Sequence, residues 1–314
     1  ILYQVVPPTS SGGSGSGSGS AGTTSAMDIY SDLDLTGGIK FSKNGTEKVG
    51  INVYGNFSTG GVGLTGIDTL STTGNVTVTS SAYIKNIYTN GNVTLEGSAR
   101  ADLISAKGWI YTKSGGTQGD LYADKYINIT NGSLKNANTL SYIDWPSGGG
   151  TAQILTAGGY VNFGSSSVNT IRAKGNVNLS TWGTVSDVMS EGKIKCVSTN
   201  WGNYTLLKAI SFESCPTKNA TTLPAGTDSI VATGALVTVT APNKPLVNAL
   251  SYESQANYIL DVDSNSKPVV TVKNVDGIPS GKYYIAKYTS NNIEYIGKLC
   301  PGIDTSGFCT GTSV

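Results

Sequence analysis

The sequence predicts an all-β protein in which a β-solenoid of about 17 residues per rung is combined with a small antiparallel, pilin-like β domain. A short motif recurs at a nearly constant spacing. Glycine-rich turns punctuate the chain, and long segments with the apolar spacing of an amphipathic helix are missing. The last third of the chain changes to ordinary alternation of apolar and polar residues, which is typical of hairpins.

The repeat has the form Gly-x-Val/Ile-x-aliphatic, with copies that start at Gly74, Gly91, Gly108, Lys125, Gly159, Gly175 and Gly192. The step from Lys125 to Gly159 is two periods, so a degenerate rung is expected near residues 141–156. A single rung has too few apolar residues to bury a core. Stacking is therefore expected to align the central aliphatic residues in one inner column: Val76, Val93, Ile110, Ile127, Val161, Val177 and Ile194.

Each rung carries a second short strand, and a polar residue precedes its aliphatic residue. These polar residues are expected to form a column of turn side chains: Asn86, Asp102, Asp120, Asn136, Thr170 and Asp187. Neighbouring carboxylates at Asp102 and Asp120 also suggest a polysaccharide-degrading enzyme. The amides in the same column favour a structural role, and we predict no enzymatic activity.

Composition excludes several kinds of chemistry. The chain has no histidine, which removes histidine-dependent triads and metal sites, and we expect no cofactor. Its net charge is +1. Residues 74–196 contain ten basic and seven acidic side chains, and this excess of positive charge is too small to predict DNA binding by itself. The cysteines form two local pairs, Cys196 with Cys215 and Cys300 with Cys309, which predict disulfides and an oxidising, extracellular compartment.

Four segments are predicted along the chain. Residues 1–26 hold an N-terminal segment and a Gly/Ser linker, and residues 27–54 hold strands of the β domain or of a solenoid cap. Residues 55–216 form the solenoid, and residues 217–314 form the antiparallel domain with its disulfide loop. The strands expected in this last segment are Ser229–Val231, Ala235–Thr240, Ala256–Val262, Pro268–Val275, Gly281–Lys287 and Asn292–Lys298.

Outward-facing aromatic residues are the main candidates for a binding site. Because Ile110 points inward, Trp109 and Tyr111 point outward, and Tyr126 and Tyr160 fall in the column of Trp109. Exposed aromatic rings stack on sugars or bases. With the basic residues Lys107 and Lys125 they form the predicted ligand-binding site. The alternative is that these rings only cover the sides of the solenoid.

The rungs from Gly74 to Cys196 and the C-terminal stretch through Tyr258, Gly281–Tyr284 and Cys300–Cys309 resemble the large, competence-associated minor pilins of bacterial type IV pili. The resemblance implies a pilus-tip protein that assembles with other pilins and binds DNA, a surface or a glycan. It also implies that the membrane is reached only through a hydrophobic helix preceding residue 1. An adhesin or phage-fibre-like spacer is the alternative, and the degrading enzyme is the third.

Overall fold

The computed structural model describes residues 26–29, 31–35, 49–59, 67–113, 115–180, 183–197, 203–240, 247–252, 258–262, 268–272, 279–290 and 293–311. Nearly all of the regular structure in these residues is β, and their one helical segment is a 3₁₀ turn at Thr217–Asn219. A parallel β-solenoid of about nine turns with ~17 residues per rung and a small antiparallel sheet confirm the predicted fold class.

The described residues divide into two compact units. The larger unit comprises Asn75–Ser81 and Lys85–Val239, and the smaller unit comprises the described residues of 1–74, 82–84 and 240–314. The strands, in chain order, are β1 (Ala26–Ile29), β2 (Ser31–Leu35), β3 (Val49–Val53), β4 (Phe57–Thr59), β5 (Ile67–Thr72), β6 (Val76–Val78), β7 (Ile84–Thr89), β8 (Val93–Leu95), β9 (Leu103–Ala106), β10 (Ile110–Thr112), β11 (Thr117–Ala123), β12 (Ile127–Ile129), β13 (Ser133–Thr139), β14 (Ile143–Trp145), β15 (Thr151–Ala157), β16 (Val161–Phe163), β17 (Ser167–Ala173), β18 (Val177–Leu179), β19 (Thr184–Cys196), β20 (Asn203–Glu213), β21 (Ala220–Thr222), β22 (Val247–Tyr252), β23 (Tyr258–Val262), β24 (Pro268–Val272), β25 (Gly281–Ser290) and β26 (Ile293–Cys300).

Between β6 and β18, three-residue strands stack on three-residue strands and longer strands stack on longer strands, all in parallel. The first and third residues of each short strand are buried and the middle one is half-buried, as alternation in a strand requires. Every residue of the predicted inner column is at most 1% exposed, so that prediction is confirmed. The degenerate rung is also present, with β14 as its short strand.

The predicted polar turn column is correct except at one rung. Asp120 pairs in register with Leu103 on one side and with Asn136 on the other, and Leu103 pairs with Asn86. Asp102 therefore lies one residue outside the column, and its predicted alignment with Asp120 is wrong. The reason is that the buried residue after Leu103 sets the register, so an apolar side chain takes a position that is polar in most other rungs.

In the smaller unit, the segment predicted as strands at residues 27–54 forms parallel pairs, β1 with β3 and β2 with β4. Strand β22 also pairs in parallel with β2. Strands β23 to β26 form a four-stranded antiparallel sheet in sequence order, which confirms the antiparallel element of the prediction. The Gly/Ser linker lies outside the described residues.

Both predicted disulfides are present, Cys196–Cys215 in the larger unit and Cys300–Cys309 in the smaller one. Each closes a local loop, with sequence separations of 19 and 9. The described part of the chain has no helix with the length and hydropathy of a membrane span.

The strands predicted at Ser229–Val231 and Ala235–Thr240 are wrong, because the described residues 223–240 contain no strand. Residues 228–239 instead run along the outside of the larger unit across its rungs, and we call them the axial strap. At one end Lys174 Nζ lies 2.6 Å from Asp228 Oδ1, and at the other Val239 N donates to Asn90 Oδ1 at 2.9 Å. The strap satisfies its backbone groups with side chains instead of with a neighbouring strand.

Candidate ligand-binding face

Four aromatic side chains form a continuous stack on the outward face of the larger unit. We call them the aromatic column: Trp109, Tyr126, Tyr142 and Tyr160. Successive ring centroids lie 6.0, 4.9 and 4.6 Å apart, and neighbouring ring planes differ by 11° or less. The spacing follows the separation of hydrogen-bonded strands, about 4.8 Å, because each ring comes from one rung.

The backbone positions these rings. Each member of the column directly precedes a short strand whose first residue is buried, so the ring itself must point outward. Its carbonyl oxygen accepts a hydrogen bond from the preceding rung. Ile110 N donates to Tyr126 O, and Ile127 N to Tyr142 O, both at 3.0 Å. The rings are therefore held in register by the same ladder that holds the rungs together.

Three members of the column, Trp109, Tyr126 and Tyr160, were predicted from the sequence, and the structure places them in it. Tyr142 was not predicted; it comes from the degenerate rung and stacks between Tyr126 and Tyr160. The rung before Tyr142 has 16 residues and the rung after it has 18, so the constant period skips it. Residues 142–145 could have identified this rung from the sequence. They consist of an aromatic residue, Ile143, a polar residue and Trp145, which is the pattern of the other rungs.

A second row of outward side chains runs beside the aromatic column. We call it the polar column: Tyr111, Asn128, Asp144 and Asn162, the middle residues of β10, β12, β14 and β16, which pair in register. Lys113 Nζ lies 5.0 Å from the ring centroid of Tyr111 and so covers part of it. The Oδ1 atom of Asn128 is buried without a hydrogen-bond partner. This row supplies amide and carboxylate groups next to the rings.

Asparagine side chains continue the aromatic column at both ends. Asn92 Oδ1 accepts a hydrogen bond from Trp109 N at 3.0 Å, and Asn92 N donates to Asn75 Oδ1 at 2.9 Å. At the other end Asn176 Oδ1 accepts from Lys193 N at 2.9 Å. The amides therefore extend the hydrogen-bonding ladder beyond the four stacked rings.

The stacking limits how these rings meet a ligand. Inside the column each ring face is covered by the next ring, so only Trp109 and Tyr160 have a face that no other ring of the column covers. Tyr160 is the most exposed member, at 38%. The outward surface therefore consists mainly of ring edges. This differs from the free ring faces that the sequence suggested, because in-register stacking aligns the rings face to face.

The stacking of Tyr142 on Tyr160 brings their phenol groups close together. Burial raises the pKa of Tyr142 above 10.0, and the charges of Tyr160, Tyr126 and Asp144 raise it further. Burial and then the charge of Asp144 raise the pKa of Tyr160. A raised pKa favours the protonated form, so both phenols remain neutral as the pH rises to 10.0.

We therefore expect a spectrophotometric titration of tyrosinate to show phenols that ionise above pH 10.0. Tyr142→Phe should remove part of this late absorbance change. Asp144→Asn should move the late phase to lower pH, because it removes a charge that opposes ionisation. An unchanged late phase in both variants would contradict the proposed coupling along the column.

The basic residues of the predicted site lie at the corner before the aromatic column. Lys125 directly precedes Tyr126 and is exposed, and Lys107 lies two residues before Trp109. Lys125 N donates a hydrogen bond to the carbonyl oxygen of Gly108 at 3.2 Å. Lys125 therefore stacks against the residue that follows Lys107, not against Lys107 itself. The two lysines therefore do not share one column, although both flank the rings.

Most other basic side chains of the solenoid are paired with carboxylates. At least six of the ten basic residues between 74 and 196 form ion pairs: Lys113, Lys135, Arg172, Lys174, Lys193 and Lys195. Lys195 and Lys193 both contact Glu213 and lower its pKa to about 2. The positive charge is therefore balanced locally and is not collected on one face.

A groove of about 380 Å³ lies on another part of the larger unit. Its walls carry hydroxyl and amide groups, among them Ser133, Thr151, Gln153 and Asn169. Its charged wall residue, Lys135, pairs with Asp120 at 3.3 Å. None of the predicted site residues lines this groove.

No match to this chain was found among protein-family models, curated proteins or solved structures. Among the described residues, no three histidine, cysteine, aspartate or glutamate side chains are grouped so that they could hold a metal ion.

Proposed function

We propose that this protein is a non-enzymatic, exported binding protein whose solenoid attaches to a linear glycan on a surface. The observation that carries the proposal is the aromatic column, four stacked rings at rung spacing, beside the amides and carboxylate of the polar column. Phenol hydroxyls and amides both donate and accept hydrogen bonds, as sugar hydroxyls do. The rungs repeat about every 4.8 Å and so present equivalent hydrogen-bonding groups at a regular interval, which suits a polymer of repeating units.

The distribution of charge favours a neutral glycan over DNA. Binding of a protein to DNA draws its strength from cations that displace counterions from phosphates. At least six of the ten basic residues between 74 and 196 already contact carboxylates, and Asp144 places a negative charge on the binding face. Lys107 and Lys125 supply only two positive charges next to the rings.

Two disulfides support an oxidising, extracellular location. The resemblance of the rungs and the C-terminal strands to large minor pilins supports placement at the tip of a type IV pilus, with other pilins as partners. The register shift between Asp102 and Asp120 supports a role without glycan cleavage, because the two carboxylates do not face each other across neighbouring rungs.

Binding of the purified chain to cellulose, chitin and mannan tests the proposal. We expect Trp109→Ala and Tyr142→Ala to weaken binding to the preferred polysaccharide at least tenfold, since the ring at one end or at the centre of the stack is lost, worth about 1.4 kcal/mol or more. Tyr88→Ala is the matched control, because Tyr88 points outward from the long strand β7 and lies in another column. Thermal melting checks that all three variants remain folded.

Equal binding by the wild type, Trp109→Ala and Tyr142→Ala would show that the face is only a covering for the solenoid. A salt series with double-stranded DNA distinguishes the other ligand class. Binding to DNA that weakens steeply with salt, together with unchanged binding on Tyr142→Ala, would assign the ligand to the lysines instead of the rings.

A further inference from the structure

The axial strap is held by a row of side-chain acceptors that we call the strap track: Asn90, Ser105, Asp124, Asn138 and Glu191. Their oxygen atoms accept hydrogen bonds from the strap backbone at 2.6 to 2.9 Å, from Val239 N, Leu236 N, Ala235 N, Thr233 N and Ile230 N respectively. Asn90 also donates from Nδ2 to Val239 O at 2.6 Å. The track therefore recognises the main chain of an extended segment.

The spacing of the track matches an extended polypeptide. From Asn90 to Glu191 the track crosses six rung steps, about 29 Å at the usual strand separation. The chain from Ile230 to Val239 covers this length in nine residues, or about 3.2 Å per residue, which is the rise of a β-strand. An extended strap therefore brings its backbone N–H groups within hydrogen-bonding distance of the acceptors.

Most side chains of the strap contribute little to this contact. Val231 is 81% exposed, Leu236 is 46% exposed and Val237 is 43% exposed. The exceptions are Ile230, which is only 5% exposed, and Gly234. A Cβ atom at Gly234 would lie 2.1 Å from Asp124 Oδ1 and 2.9 Å from Leu140. The track therefore demands a glycine at one position, buries one aliphatic side chain and leaves most of the others exposed.

The strap is attached through side chains of the solenoid and adds no strand to the rung ladders. Its departure would leave the parallel backbone hydrogen bonds of the rungs intact. An element with few buried apolar groups and exposed hydrogen bonds opens more easily than the core on which it lies.

We propose that the strap track is a binding site for an extended polypeptide in trans, and that its partner is the strap of a second copy of this chain. A second copy supplies the glycine opposite Asp124 and, at the correct distance along the chain, the aspartate that pairs with Lys174. The track of one copy then holds the strap of another, which is an exchange of identical elements between protomers. The chain's own strap competes for the track at high effective concentration, so exchange requires concentrated protein or a weakened strap.

A fluorescent peptide with the sequence of residues 227–240 tests the track by anisotropy. The full-length Gly234→Val variant is expected to bind this peptide at least tenfold more tightly than the wild type does, because its own strap no longer fits beside Asp124. The same peptide with valine in place of the glycine should bind neither chain. Equal binding of the two peptides, or no binding to the variant, would overturn the proposal.

Circular dichroism checks the fold of the Gly234→Val chain. If that variant does not fold, Asp228→Ala replaces it, since this change removes only an exposed ion pair with Lys174 and should raise peptide affinity severalfold. Tagged and untagged wild-type chains are then mixed at high concentration. Mixed dimers that excess peptide disperses would support exchange between copies, and monomers at every concentration would overturn the second copy as the partner.

Discussion

Replacing Ile127 by alanine is expected to lower the free energy of unfolding by about 2 to 5 kcal/mol, the range for truncation of a buried aliphatic side chain. Ile127 is fully buried in the inner column, and its neighbours there, Ile110 and Ile143, come from the adjacent rungs. These neighbours are held in place by parallel backbone ladders, so they cannot move together to fill the cavity.

Urea denaturation followed by circular dichroism measures this effect. The matched control is Lys125→Ala, two residues away on the exposed corner of the same rung, and it should change stability by less than about 0.5 kcal/mol. Comparable losses for the two variants would mean that the inner column is not the main source of stability in this unit.

Replacing Gly119 by alanine is expected to cost more than about 3 kcal/mol, because the change forces backbone apart inside the stack. A Cβ atom at this position would lie 1.8 Å from the carbonyl oxygen of Asp102 in the preceding rung. Gly119 N and Asp120 N both bond to carbonyl oxygens of that rung at 2.8 Å. The new methyl group therefore cannot be accommodated without the loss of ladder hydrogen bonds.

Gly149→Ala is the matched control, since a Cβ atom there meets no atom within 4 Å. It should leave the urea midpoint nearly unchanged or raise it slightly, because alanine restricts the unfolded chain more than glycine does. A midpoint for Gly119→Ala equal to that of Gly149→Ala would contradict the close approach of the two rungs.

Much of the candidate site could be predicted because period and strand alternation act locally. Once Ile110 and Ile127 point inward, Trp109 and Tyr126 must point outward, and a nearly constant period places them in one column. Tyr142 was not predicted because the rung before it is one residue shorter than the 17-residue period and the rung after it is one residue longer. A change of rung length is absorbed in the turns, which local propensity describes poorly.

Register and long-range contacts account for the other differences. Leu103, and not Asp102, pairs with Asp120 in the polar turn column. The buried residues next to this column set the register of the rungs, and the polarity of Asp102 does not. The strap segment was predicted to form strands, yet its partners are side chains up to 149 residues away. A sequence pattern shows that a segment is extended, but it does not identify the groups that bond to it.

The repeat spacing and the two local cysteine pairs were therefore enough to predict an all-β solenoid, its inner column and its disulfides, since each depends on spacing along the chain. The face-to-face stacking of the rings, the place of Tyr142 among them and the strap across the rungs depend on contacts between distant residues. Such contacts form only when every rung has found its register, because the rungs that bring them together must first be stacked.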